Sequence, residues 1–153
     1  NCGMHAMDIM RMESGFLHWG HDISPEENQF QSGLTFTISN KKENDFIGKE
    51  ALRKIKSKKI DKRFIMLTLK DNKPGSPLLL HDEPIYFKDK IIGRTTSGNY
   101  SFNFKRNLVY GYINNHYSND ELTSDHIYIE VEKKKYRAQL LKKPLKQNNF
   151  KNI

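Results

Sequence analysis

The residues able to do chemistry gather near the start of this 153-residue chain. Residues 10–28, MRMESGFLHWGHDISPEEN, hold one arginine, four acids, two histidines and the only tryptophan. His18 and His21 stand three apart, Asp22 follows, and imidazole with carboxylate is a ligand set that zinc accepts. No H-E-x-x-H helix or thiolate supports them, and Pro25 leaves regular structure, so the expectation is no metal and hydrogen bonds within the turn. Nucleophiles are no better supported. Ser97 in RTTSGNYS lacks the G-x-S-x-G elbow, nothing activates Cys2, and Gly93 and Gly98 have neither the spacing nor the following helix of a phosphate loop.

Glu13 offers more. It stands beside Gly15 and near Phe16 and Trp19, so a helix end can present a carboxylate next to aromatic surfaces. A carboxylate accepts two parallel N–H bonds, and a ring with an amidine-like N–H/NH2 edge supplies that pair while aromatic side chains cover its face. A pterin has this shape. The competing reading is a simple pair from Glu13 to Arg11 or His18 across a turn, and spacing alone leaves both open.

These residues need elements to hold them. GMHAMDIMRMES (3–14) brings Met4, Met7 and Ile9 or Met10 to helical spacing and stops at Gly15. QFQSGLTFTIS (29–39) alternates Leu34, Phe36 and Ile38 with Thr35, Thr37 and Ser39, which predicts a strand with one buried face. A short helix entered past Gly48 places Phe46, Ile47, Leu52 and Ile55 on one side, and its charged end runs into SKKIDKR, a linker. Strands follow: FIMLTL (64–69), two in EPIYFKDKIIGRTTSG (83–98) turning at Lys88-Asp89-Lys90, NLVYGYIN (107–114), and a hairpin in HIYIEVEKKKYRAQLL (126–141) with Ile127, Ile129 and Val131 on one face. Four to six such strands, each too short to stand alone, close into a small barrel or sandwich.

Composition bounds the rest. A hydrophobic content of 36% gives one or two small domains a lean core. No apolar run approaches the roughly 20 residues of a membrane span, and no signal peptide is visible. A lone cysteine fits a reducing compartment, the cytoplasm or, in a eukaryote, the mitochondrial matrix. The start at Asn1, with a helical pattern by Met4, reads as the C-terminal piece of something longer. Of the net charge of +8, residues 1–48 contribute three Lys/Arg and seven acids, net −4, and residues 49–153 twenty-three and eleven, net +12. Scattered over several elements, those lysines read as a solvated surface; gathered, they would attract nucleic acid or a polycarboxylate tail.

Three stretches in this order, MDIMRMESGFLHWGHDISPEENQFQSGLTFTI, DFIGKEALRKIKSKKIDKRFIMLTL and IIGRTTSGNYSFNFKRNLVYGYI, resemble the C-terminal half of the glycine-cleavage T-protein (aminomethyltransferase) family. The shared pattern is an L-R-x-E-x-G helix end, an aromatic-G-x-D-x-x-P turn, a pocket-side strand, F-I-G-K-E-A-L and a V-G-x-x-T-S-G-x-Y-S hairpin. GFLHWGHDISPEE and DFIGKEALRKIK look more like the folate domain at the C-terminus of dimethylglycine and sarcosine dehydrogenases.

The resemblance implies an α+β chain: residues 1–60 as the C-terminal part of a folate-binding, aminomethyltransferase-like domain, then residues 61–153 as a small antiparallel β-barrel. It implies tetrahydrofolate at this site, FAD in a domain upstream, a small N-methyl amine as substrate, and the rest of its own polypeptide as partner, with no nucleic acid and no membrane. Glu13 matches the family glutamate and is expected to line the folate pocket, with Phe16 and Trp19 as ring surface and Arg11 as the charge partner that fixes local geometry. No catalytic residue is expected in the chain, because the family aspartate lies upstream; the fragment alone is expected to be inactive. Met7 stands where free-standing T-proteins have an arginine that contacts substrate, Met10 replaces a leucine, and Gln29-Phe30-Gln31-Ser32 replaces a P-L-E-A-like run. A stand-alone aminomethyltransferase, fed by a lipoyl-bound aminomethyl group, is the alternative. An RNA-modifying or iron–sulfur assembly relative, or a basic nucleic-acid binder, would be a different class.

Overall fold

The computed structural model describes residues 1–39, 45–71, 73–122 and 126–145. Among them run α1 (Met4–Ser14), a single 3-10 turn (Thr35–Thr37), α2 (Lys49–Lys56), β1 (Lys62–Leu69), β2 (Pro84–Phe87), β3 (Lys90–Ser101), β4 (Arg106–Asn114), α3 (Asn119–Leu122), β5 (Ile127–Val131) and β6 (Lys134–Leu141). The strands close a barrel in the order β1-β4-β3-β2-β5-β6, each pair antiparallel. Closure leaves no unpaired sheet edge.

Alternation decides what the barrel encloses. Ile127, Ile129 and Val131 of β5 point inward with Ala138 and Leu140 of β6, and meet Ile65, Leu67, Ile85, Ile92, Val109 and Ile113 in one buried cluster. β1 and β4 do not alternate, because both of their faces are covered. Their outer residues Phe64, Met66, Leu108 and Tyr110 pack with Met12, Ile9 and Leu17 in a second cluster, beneath α1. Register pairs Phe64 with Tyr112 and Met66 with Tyr110, and the Phe64 ring meets Tyr110 and Tyr112 edge-on at 5.1 and 5.6 Å. Two-sided burial is why FIMLTL and LVYGYI read as apolar runs.

Two elements differ from the sequence reading. Residues 29–39 form turns and the 3-10 turn, not a strand, and Phe36 is 82% exposed. Alternation makes a strand only where a partner edge exists, and the closed barrel offers none. The segment is tied down locally instead, through Ser32 N to Asn28 O (3.0 Å), Leu34 N to Gln29 O (3.0 Å) and a bond from Phe64 N of β1 to Gln31 O (2.8 Å). The other difference is α3, which follows the capping box S-x-x-E at Ser118 and Glu121: the Ser118 backbone N–H donates to Glu121 Oε2 (2.7 Å) and the Glu121 N–H to Ser118 Oγ (3.2 Å). α2 starts after Gly48 as expected, with Leu52 and Ile55 half-buried on one side and Ile47 fully exposed ahead of it.

Candidate functional site

The last turn of α1 is fastened to β3 and β4 by three consecutive side chains. Gly15 ends the helix in the left-handed region (φ 82°), with Phe16 N donating to Arg11 O (2.9 Å) and Gly15 N to Met12 O (3.2 Å). A Cβ at Gly15 would also stand 2.4 Å from Pro144 Cγ, so glycine is required twice over. Met12 is buried, and Tyr110 Oη donates to its carbonyl at 2.6 Å. Burial pushes the Tyr110 phenol well above its ordinary range, so it stays a neutral donor.

Arg11 and Glu13 flank Met12 and reach different parts of β3. Glu13 is 3% exposed and accepts Ser101 Oγ at 2.6 Å and Asn103 Nδ2 at 3.0 Å. Arg11 donates through Nε to Asp8 Oδ1 (2.8 Å), through Nη2 to Ser97 Oγ (2.8 Å), and through Nη1 to Phe16 O (3.2 Å) and Asp22 Oδ2, and its ion pair with Asp8 closes to 2.7 Å at Nη2. Four of the five guanidinium N–H groups are thus engaged in hydrogen bonds.

Asp22 is the hub. It is 1% exposed; Oδ1 accepts Thr96 Oγ1 (2.5 Å) and Ser97 Oγ (2.8 Å), while Oδ2 accepts Arg11 and the His18 N–H (2.9 Å). Its carbonyl accepts Tyr112 Oη at 2.8 Å. Successive strand residues normally point to opposite faces, yet Thr96 and Ser97 share one oxygen. A register shift between Thr95 and Ser97 makes that possible, as a bulge re-aims a side chain.

These bonds hold the segment from Phe16 to Ile23 over the barrel, and beside it lies a cavity of about 490 Å3. That size suits a small organic ligand, for which pockets run to roughly 300–1,000 Å3. Met4, Met7, Phe16, Trp19, Leu78 and Leu80 give it apolar and aromatic walls; Asp8, Arg11 and four histidines are its ionisable groups. A more polar groove of about 560 Å3 adjoins it, sharing His21 and Thr96. The groove's Lys62 is taken up by Glu27 (2.6 Å) and lies 5.2 Å from the centre of the Tyr112 ring. Burial by itself would raise the Glu27 carboxyl, but bonds from Lys62 and Ser24 outweigh it and hold that group below the usual carboxylate range.

Of the residues singled out in the sequence, the structure brings Arg11, Phe16 and Trp19 to the cavity. Glu13 is placed behind it, its carboxylate facing the β3–β4 turn, because the helix end turns that side chain to the hydroxyl of Ser101. Neither proposed local partner of Glu13 is the one it has: Arg11 pairs with Asp8 and Asp22 instead. Asp22 does more than close its own turn, since it binds β3 across the chain. Ser97 is spent between Arg11 and Asp22. Sequence reasoning missed Asp8, Leu78, Leu80 and His81; a proline-led Leu-Leu-Leu run ahead of a strand was the only signal for the latter group.

Comparison with known proteins fits this geometry. The family model described as "Glycine cleavage T-protein C-terminal barrel domain" matches residues 62–146, and "GCVT N-terminal domain" matches residues 1–42. The mitochondrial dimethylglycine dehydrogenase of Rattus norvegicus is 33% identical over 147 residues, which are 95% of this chain and 16% of that protein. An aminomethyltransferase of Listeria welshimeri is 32% identical over 142 residues, 93% of this chain and 37% of that protein. The solved aminomethyltransferase T of the Bartonella henselae glycine cleavage system shares the fold, with a TM-score of 0.74 at 20% identity over 92% of this chain and 38% of that one. The chain thus spans a minor part of each of these relatives. With a six-stranded antiparallel barrel, a helix end docked by an R-x-E pair and more than half of its length matched by the barrel model, the chain belongs to the glycine cleavage T-protein family.

Proposed function

We propose that this chain is the C-terminal folate-domain part of an FAD-dependent dehydrogenase of the dimethylglycine and sarcosine type. The enzyme would oxidise an N-methyl amine and pass the one-carbon unit to tetrahydrofolate. The observation that carries the reading is the thioether of Met7 on the cavity wall, where a free-standing T-protein is expected to hold an arginine against its substrate. The identity to dimethylglycine dehydrogenase over nearly the whole chain supports it.

The residues present fit a folate. Phe16 and Trp19 offer ring surface, Met4 and Met7 an apolar wall, and Asp8 a carboxylate whose Oδ1 meets Arg11, leaving Oδ2 to accept ring N–H groups. Tetrahydrofolate, when bound, supplies the amine nitrogens that take up the one-carbon unit. The work of this chain is to hold and shield that ligand. Arg11 and Asp22 fix the floor, Glu13 locks the helix end behind it, and the apolar wall offers the ligand surface to cover. The described strands pair antiparallel and include no parallel strand–helix–strand unit of the dinucleotide-binding kind, so the reading places the flavin in another domain.

Expression of the complete reading frame tests this. A flavin-containing product that forms methylene-tetrahydrofolate from dimethylglycine or sarcosine is expected. A flavin-free product that forms it only from a lipoyl-bound aminomethyl group would make the protein a stand-alone aminomethyltransferase.

A further inference from the structure

We infer that the histidines around the cavity form an anion-recognising rim, so that the site prefers a ligand carrying a carboxylate on an aromatic body and binds it more tightly as pH falls. The inference rests on the folate-site reading above and names which end of such a ligand the rim holds.

Four of the chain's six histidines line this one cavity. His5 comes from α1, His18 and His21 from the segment after it, and His81 from the approach to β2. The His18 and His21 rings stack at 4.5 Å between centres and 20° between planes, and His81 meets His21 edge-on at 6.5 Å and 72°. Imidazole is the side chain that changes charge between about pH 5 and 8.

The surrounding charges are spoken for. On α1, Arg11 and Asp8 pair, and Arg11 spends four N–H bonds on Asp8, Phe16, Asp22 and Ser97, so its charge is directed into the protein. On the segment after α1, Asp22 is buried among Arg11, Thr96 and Ser97. Before β2, Asp82 lies between His81 Nδ1 (2.9 Å) and Arg94 of β3 (3.0 Å). On the groove side of His21, Glu27 is paired with Lys62, and Glu26 is the remaining acid of the lining.

Protonation of the rim therefore adds positive charge, which Asp82 offsets at His81. Two imidazolium rings stacked at 4.5 Å repel, and a carboxylate seated against them relieves the repulsion. Binding an anion there draws protons onto the rim. By linkage, affinity must then rise as pH falls. The apolar walls take the aromatic body, so in a folate the rim would meet the glutamyl carboxylates.

The intact protein is titrated with tetrahydrofolate, and with the analogue that ends at the aminobenzoate, by calorimetry at about pH 8 and pH 6. Calorimetry in buffers of different ionisation enthalpy counts the protons taken up. The expected result is a Kd for tetrahydrofolate about tenfold lower at pH 6 than at pH 8, with about half a proton taken up on average across that range, against a smaller change for the shortened analogue. The paired change His18→Gln, His21→Gln should flatten that dependence, and circular dichroism checks that the variant is folded; His81→Gln provides an independent flattening should the pair unfold. Binding that ignores pH, or an equal pH response for both ligands, overturns the inference and leaves the folate site standing. No binding of either ligand at either pH overturns both.

Discussion

Asp22→Asn is the sharpest test of how the site is held. Asp22 Oδ1 accepts the Thr96 and Ser97 hydroxyls, and its Oδ2 accepts two obligate donors, the Arg11 guanidinium and the His18 N–H. An amide that keeps its oxygen toward Arg11 and His18 turns its NH2 to the two hydroxyls, which can rotate to accept it, so what is lost is the buried charge, and Arg11 is left with the more exposed Asp8 as its ion-pair partner. Removing one member of a buried pair costs about 3–5 kcal/mol, and the individual bonds to a charged group, about 1.5–3 kcal/mol each, do not simply add. With a urea m-value of about 2 kcal/mol/M, the midpoint should fall by about 2 M. Urea unfolding followed by circular dichroism and Trp19 fluorescence reads this directly. Ser97→Ala, which removes one donor to Asp22 and one acceptor from Arg11, gives a graded second point of about 1.5–3 kcal/mol. A shift below about 0.5 M for Asp22→Asn would put the pair in the range of exposed ion pairs and refute the hub.

Other expectations follow from the same geometry. In Gly93→Ala the new Cβ would stand 1.9 Å from Tyr112 O, so the β3–β4 ladder must spread, with a cost of about 1–3 kcal/mol in thermal or urea unfolding. Glu132 and Lys133 both hold positive φ (51° and 63°) in the two-residue β5–β6 turn, a conformation Asn-Gly adopts with less strain; Glu132→Asn with Lys133→Gly should raise stability by about 1 kcal/mol. Glu27 has a folded-state pKa below its usual value of 4.5, so the stability it contributes is complete above that value and is lost as pH falls through the folded pKa. Glu27→Gln should therefore lower the melting temperature at neutral pH and remove part of its fall in acid.

Where the physics is local, the sequence was enough. Gly15 stops α1 where its φ of 82° requires, and the alternation of Ile127, Ile129 and Val131 puts them inside the barrel. Local pattern could not say whether residues 29–39 would find an edge to pair with, and it passed over a capping box only four residues long at 118–121.

The site divides in the same way. Residue types near the N-terminus showed that an arginine, acids and aromatic rings would meet at a helix end, and Arg11, Phe16 and Trp19 do reach the cavity. Which carboxylate faces the ligand was not written there, because Glu13 and Asp22 are claimed by hydroxyls 88 and 75 residues further along the chain. Those partners come within reach only once the barrel closes and the bulge at Thr95–Ser97 turns two successive side chains to one oxygen. Side-chain identity is local and was determined by the sequence itself; a hydrogen bond needs its partner within about 3 Å, and only the tertiary structure supplied that.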